Sequence, residues 1–466
     1  MALFIRLGAT MIVGAAFTMV AALPAAAETL RDAILEAYAT SPSLNQQRAE
    51  QRSIDEQVPQ AKVGLRPSVG LTLSGVYNRA YNSQSFLTPP VSNTGTGSLT
   101  ITQPIYTGGR TAAAVRAAEA TVYAGRDALR TSESQVLGAV VQAYENVRRD
   151  EQTLAVQSDD LDFLQHQLDE IRARQKVGDL TRTDVSQAEA QLLDTRAAIA
   201  STRGQLEADR AEYAAVVGHA PGSLAPETPL PGLPKTVDEA FDLVEQNNAS
   251  LNQARDTARA SKARVDVARA ADRPTVSLQA VFGANGALVP AYARNYERTV
   301  QGEAVISQPI FTGGQNASQI RQAKAEENRD RIGVELARRN AIQSAAQAWS
   351  QMLANRLDAD TRDAEVVAAQ ATLDGQRQEY RAGLRSTLEV LIAEQTLRDA
   401  RIAAITARSQ AYLAAVGVLS ATGRLEIRYL VPEAPLYDPA RSYRDVRNAG
   451  GLPWDGALRA LDGVSD

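Results

Sequence analysis

The sequence holds no cysteine. Disulfides, thiolate metal sites, a cysteine nucleophile and a lipid anchor on an N-terminal cysteine are therefore excluded. Only two histidines occur, His166 and His219, far apart in the pattern, which offers no metal site. None of the five lysines follows a glycine, so there is no Gly-Lys-Ser/Thr loop to cradle a nucleotide. Aromatic residues make up 5% of the chain, too few for several compact aromatic cores, whereas Ala, Gln and Arg abound. Long helices packed on one another suit that composition. No nucleophile, base and oxyanion set can be assembled, which argues against an enzyme, and no cofactor is implied.

Long hydrophobic runs are also scarce. Residues 1–27 read as a secretory signal: Arg6, an apolar run from Leu7 to Leu23, then Pro24 and the small residues Ala25, Ala26 and Ala27. A signal anchor is the alternative for this segment. Its removal takes the formal net charge from −5 to −6, which gives no reason to expect nucleic acid. Beyond it, no uninterrupted run reaches the ~18 apolar residues that a spanning helix needs. An exported chain of this kind is soluble in the periplasm, secreted, or inserted in an outer membrane as a β-barrel.

What the sequence does have is a duplication. Thr29 to Ala33 (TLRDA) lies 207 positions before Thr236 to Ala240 (TVDEA), and the same offset relates the two SLNQ stretches from Ser43 and Ser250. Gln103 and Gln308, each opening a Gln-Pro-Ile-aromatic-Thr-Gly-Gly stretch, are 205 apart, as are Gly178 and Gly383. Chance does not preserve that order of matches, so one unit occurs twice. The first unit spans residues 28–218, a Pro- and Gly-rich linker 219–234, the second unit 235–423, and a tail 424–466.

Each unit reads as helix, two strands, helix, turn, helix. The strand hairpins, about 67–105 and 274–310, rest on alternation. Val69, Leu71, Leu73 and Tyr77 face one way, and Ser68, Thr72, Ser74 and Asn78 the other. Strands of about ten residues have the length that a tilted membrane strand needs. Four of them cannot close a barrel, and open edges do not survive in lipid, so membrane strands would require several chains. The helical hairpins, about 110–217 and 315–420, show a heptad seam at Val140, Val147, Leu154, Leu161 and Leu168, repeated at Ala345, Met352, Ala359, Val366 and Leu373. Such a stripe implies helices packed nearly parallel over a great length. Each hairpin breaks at a glycine, Gly178 or Gly383, followed by Thr or Ser suited to cap the next helix.

The whole mature chain resembles the TolC-type outer-membrane channel family, through the duplication, the QPI[YF]TGG passages and the Y-x-x-G-x-x-[ST]-x-x-[DE]-V turns. The resemblance implies a mainly α fold with a small membrane β-barrel. In a homotrimer, three sets of four strands form one twelve-stranded barrel in outer-membrane lipid, continued by a long α-helical barrel in the periplasm. On that reading Pro104, Gly108 and Gly109, with Pro309, Gly313 and Gly314, mark the strand-to-helix turns. Proline sits where a strand stops donating to the ladder, and the glycines permit the change of direction.

The resemblance further implies a closed periplasmic end held by contacts between hairpin tips. It places Tyr380 and Arg385 as donors toward Asp184 and Thr183, with Gly178 and Gly383 at the tips that dock a periplasmic adaptor. Glu389 falls where many members carry an acidic residue facing the pore, which in three copies makes a cation-selecting ring. One turn later Ile392 stands where relatives can carry Asp, so a double acidic ring is not implied. The tail, with its LYDP and YRDVRN, resembles that of members paired with protein-exporting ABC transporters, and is expected as a belt around the middle of the helical barrel. The implied function is the exit duct for type I secretion from an inner-membrane ABC transporter. The alternatives are small-molecule efflux with a proton-driven RND pump and, more distantly, a periplasmic or secreted coiled-coil scaffold.

Overall fold

The computed structural model describes residues 27–79, 91–288 and 296–463. The expected signal segment lies almost wholly outside the described residues, as do the middles of both strand-hairpin loops. The first unit comprises α1 (Leu30–Thr40), α2 (Pro42–Asp55), α3 (Gln57–Lys62), a short 3-10 turn (Val63–Leu65), β1 (Ser68–Arg79), β2 (Val91–Tyr106), α4 (Arg110–Lys176) and α5 (Arg182–Val217). The second comprises α6 (Val237–Asn247), α7 (Ala249–Ala270), β3 (Thr275–Ala287), β4 (Glu297–Ser307), α8 (Gln315–Arg381) and α9 (Thr387–Ala421). The tail forms α10 (Ile427–Leu430), α11 (Ala440–Val446) and α12 (Asp455–Asp462).

The leading helix of each unit is broken, where the sequence suggested one piece. The break falls at the same place in both, because Ser41 caps α2 ahead of Pro42 and Asn248 caps α7. A side-chain cap supplies the acceptor for the first amides of a new helix, and proline at its first position costs no hydrogen bond.

The four strands form one antiparallel sheet in the order β1-β2-β3-β4, so the seam between the units is the β2–β3 pair. Opposite residues keep the faces distinct. Leu71 pairs with Leu99, Leu99 with Phe282 and Phe282 with Val300, a row of apolar side chains across all four strands. On the other face Thr72 pairs with Ser98. One face is thus suited to lipid and the other to water.

Below the sheet, α4 and α8 each run for 67 residues, about 100 Å at 1.5 Å per residue. The heptad seam lies inward: Val140, Val147 and Leu168 are buried along α4, and Ala345, Met352 and Leu373 along α8. Small residues on the second seam let α9 lie close to α8. The same Ala-rich character gives α9 an 18-residue window of mean hydropathy 1.4 with few charges, although no run is uninterrupted by polar residues. By length and composition alone it passes for a membrane span, yet here it is a wall of the helical bundle.

The largest core forms a belt where both units, the N-terminal segment and the tail meet, around Leu137, Tyr144, Tyr213, Leu419 and Leu425. Tyr144 Oη donates to the carbonyls of Glu28 and Ala225 at 3.0 and 2.7 Å, and Tyr213 Oη donates to Glu28 Oε1 at 2.6 Å. Burial pushes the Tyr144 hydroxyl up to about 12. The linker is tied into this belt, since Glu28 N bonds Ser223 O and Ala225 N bonds Glu28 O, both at 2.8 Å. The tail was expected as a belt around the helical part. Residues around α10 do pack there, but α12 extends to the strand-to-helix turn of the first unit, where Asp462 accepts from two backbone amides and a threonine hydroxyl.

Candidate functional site

At the first tip, α4 ends with Gly178 at φ 87°, and Asp179 N returns to Arg174 O at 3.0 Å. Thr181 then caps α5 in a reciprocal box: Asp184 Oδ2 accepts from Thr181 N and Oγ1 at 2.8 and 2.7 Å. The second tip repeats the device. Gly383 has φ 75°, Leu384 N reaches Glu379 O at 2.9 Å, and Ser386 caps α9 in a box with Glu389. Thr or Ser at the cap and a carboxylate three residues later satisfy two amides that a helix start leaves open. Both acidic partners are held below the usual carboxylate range. For Asp184 the cause is the Thr181 hydroxyl, then its amide. For Glu389, pulled down to about 2, it is the Ser386 amide first and then Arg385.

Arg385 spans two carboxylates, Glu379 at 2.7 Å and Glu389 at 2.6 Å. Tyr380 Oη accepts from Arg174 Nη1 at 2.5 Å and lies 3.5 Å from Thr387 Oγ1. These bonds join the two hairpins of one chain through Arg174 and Tyr380. Among the described residues of this single chain, Tyr380 is not joined to Asp184, nor Arg385 to Thr183, which is exposed. Asp184 is occupied by its cap, and Arg385 offsets the charge of Glu389.

Sequence reasoning missed Arg174 and Glu379, although each stands in the last turn of its helix, one beside the Gly178 turn and the other next to Tyr380. It also missed a buried link further from the tips. Arg398 Nη1 lies 3.2 Å from both Asp160 Oδ2 and Thr195 Oγ1, tying α9 to α4 and α5. Its three members lie in different helices, so no local pattern reveals it.

The strand-to-helix turns differ between units. Gly108 and Gly109 have φ of 71° and 79°, and Gly313 and Gly314 have 62° and 87°, all in the left-handed region that favours glycine. At the first turn Asp462 accepts from Thr107 N at 2.7 Å, Thr107 Oγ1 at 2.8 Å and Gly109 N at 3.2 Å. Pro104 does not end its strand. β2 continues through a bulge to Tyr106, which pairs with Val276. β4 stops at Ser307, before Pro309.

A duplicated unit, a sheet with one apolar and one polar face, and paired helices of this length together define a membrane-anchored helical duct. The chain belongs to the outer membrane efflux protein family, whose description it matches over residues 33–219 and 240–424. It is 32% identical to the outer membrane efflux protein BepC of Brucella suis, over 96% of this chain and 95% of that protein. It is 25% identical to the outer membrane protein TolC of Escherichia coli, over 86% and 83%. Among solved structures, the CmeC outer membrane channel of Campylobacter jejuni superposes with a TM-score of 0.75 at 16% identity, covering 90% of this chain and 89% of that one. VceC of Vibrio cholerae does so at 0.72 and 22% identity, covering 84% and 96%. The chain is accordingly an outer-membrane protein of the TolC-like fold, with its helical part in the periplasm.

Proposed function

We propose that three copies of this chain close their four-stranded sheets into one twelve-stranded barrel and their helices into one tube, forming the passive exit duct of a tripartite export system. The observation that supports this most is the sheet itself, apolar on one face, polar on the other and open at both edges, set on helices long enough to cross a periplasm. The tips dock a periplasmic adaptor, and an inner-membrane ABC transporter supplies the energy and the cargo. Type I protein secretion is the reading favoured by the tail, with its LYDP and YRDVRN. Small-molecule efflux through a proton-driven pump is the second reading, favoured by the name of the relative BepC.

In the closed tube, Tyr380 with Asp184 and Arg385 with Thr183 draw neighbouring tips together, Tyr380 and Arg385 exchanging the partners they hold in one chain. All of these groups lie at or near the surface, so the exchange costs little. Glu389 contributes a ring at the narrow end, weakened as a cation filter by Arg385 four residues before it. The test is mass spectrometry of culture-supernatant proteins from the parent strain and a strain lacking this chain. Loss of one or a few abundant proteins supports type I secretion. An unchanged supernatant with raised sensitivity to toxic small molecules supports efflux.

A further inference from the structure

A cavity of about 310 Å³ opens in the belt between α1, α2, α4 and the tail. Leu44, Leu129, Ile427 and Leu436 give it apolar walls, and the side chains of Arg48 and Arg126 line it as well. Its size lies at the lower end of small-molecule sites.

Both arginines have counterparts in the second unit, where the chain itself supplies their partners. Arg48 corresponds to Arg255 through the offset of 207. Arg48 donates to Asn45 Oδ1 at 3.1 Å and to the Tyr38 carbonyl at 3.2 Å, as Arg255 does to Asn252 Oδ1 at 3.1 Å and the Glu245 carbonyl at 2.8 Å. Arg255 also holds the Glu245 carboxylate at 2.8 Å, with Arg338 on its other oxygen. In the first unit Tyr38 stands in the place of Glu245, and Arg48 pairs with no carboxylate among the described residues. Arg126 corresponds to Arg331 through the offset of 205. Arg331 donates to Asn328 Oδ1 at 2.9 Å, but Tyr123 stands in that place in the first unit, and Arg126 Nε and Nη2 are buried without a hydrogen-bond partner.

Rings have thus replaced acceptors at both arginines, and the tail adds a second ring to each. Arg48 lies 4.6 and 4.9 Å from the ring centres of Tyr38 and Tyr437, and Arg126 lies 5.1 and 5.3 Å from those of Tyr123 and Tyr443. A ring offers a guanidinium its π face but no acceptor for the in-plane N–H groups, which stay available to an oxyanion. The acids nearby are engaged elsewhere. Glu426 is held by Arg130 at 2.8 Å and Arg428 at 2.6 Å, and Glu133 accepts from the Ile427 amide at 2.8 Å. Asp438 accepts from Arg444 and the Ala440 amide.

We propose that this cavity binds a small amphiphilic carboxylate, its oxygens on the free N–H groups of Arg48 and Arg126 and its apolar body against Leu44, Leu129 and Ile427. The second unit carries an internal version, the Glu245 carboxylate between Arg255 and Arg338. Because Leu436 and Ile427 belong to the segment after α9, a bound ligand also fastens the tail to the belt. The site does not depend on what the duct exports.

The test is titration calorimetry on the purified full-length protein in lipid nanodiscs, with 2-naphthoate and octanoate as probes and 2-naphthamide as the uncharged control. At least one carboxylate should bind saturably with one site per chain, and the amide should not. Arg126→Gln should weaken binding about tenfold or more, the loss of a charge-assisted hydrogen bond. Tyr123→Asn, at a position 51% exposed, offers Arg126 the side-chain acceptor that Arg331 has and should weaken binding several-fold. If Arg126→Gln fails to assemble, Tyr123→Asn decides alone. Saturable binding of neither carboxylate, equal binding of the amide, or an affinity unchanged in the assembled variants overturns the site.

Discussion

The belt and the tips use the same kinds of side chain in opposite ways. In the belt, Tyr144, Tyr213, Arg130 and Glu426 are buried or half-buried, and Glu133 and Glu145 are pushed up by burial. At the tips, Tyr380, Arg385, Asp184 and Glu389 sit near solvent, and both carboxylates are held low by caps. Breaking a contact in the belt leaves polar groups stranded, whereas breaking one at a tip lets water replace it. The duct proposed above needs both: a girdle that holds the tube together and an end that opens without unfolding it.

The sharpest way to break this contrast is in the belt. Tyr144→Ala should destabilise the protein by about 4 kcal/mol, since it empties a core site and leaves the Glu28 and Ala225 carbonyls without their donor. Thermal dissociation of the assembled protein measures this. Asp160→Ala, between belt and tips, should cost about 3 kcal/mol, at the low end for a buried pair because Asp399 stays 3.0 Å from Arg398. Tyr380→Phe combined with Arg385→Ser should change stability by less than about 1 kcal/mol, measured the same way. A tip variant as damaging as the belt variant would erase the distinction.

The smallest effect is in acid. A carboxylate whose folded pKa is lowered, such as Glu389, contributes stability above the ordinary value of 4.5 and loses it as pH falls toward about 2. Glu133 and Glu145 have raised pKa values, so their folded forms gain relative to the unfolded chain as pH falls and lose as it rises through those values. Between pH 7 and 5 these groups therefore cost the protein nothing, and the dissociation temperature should hold or rise. It should fall only below about pH 4, and Glu389→Gln should flatten part of that fall.

Much of the fold was legible because it is periodic. Alternation at Val69, Leu71 and Leu73 marked the strands, a seven-residue stripe marked the packed helices, and glycine followed by Thr or Ser marked the tips. The offsets between units even hold the strand register. What was not legible depends on residues distant in sequence and without period. Asp462 is 355 positions from Thr107, and Arg398 is 238 from Asp160. Pro104 misled for a related reason. Proline was expected to end the strand, but β3, lying beside β2, carries it through a bulge to Tyr106. At the tips the sequence supplied Tyr380 and Arg385 but not Arg174 and Glu379, because a donor's nearest acceptor is chosen by packing.

The most direct measurement is single-channel current through the purified protein in planar bilayers, beside the Tyr380→Phe, Arg385→Ser variant. A gated duct gives small, discrete steps in the parent and markedly larger ones in the variant. Steps of equal size in both would contradict the lock at the tips, and the lack of any step in either would contradict a channel.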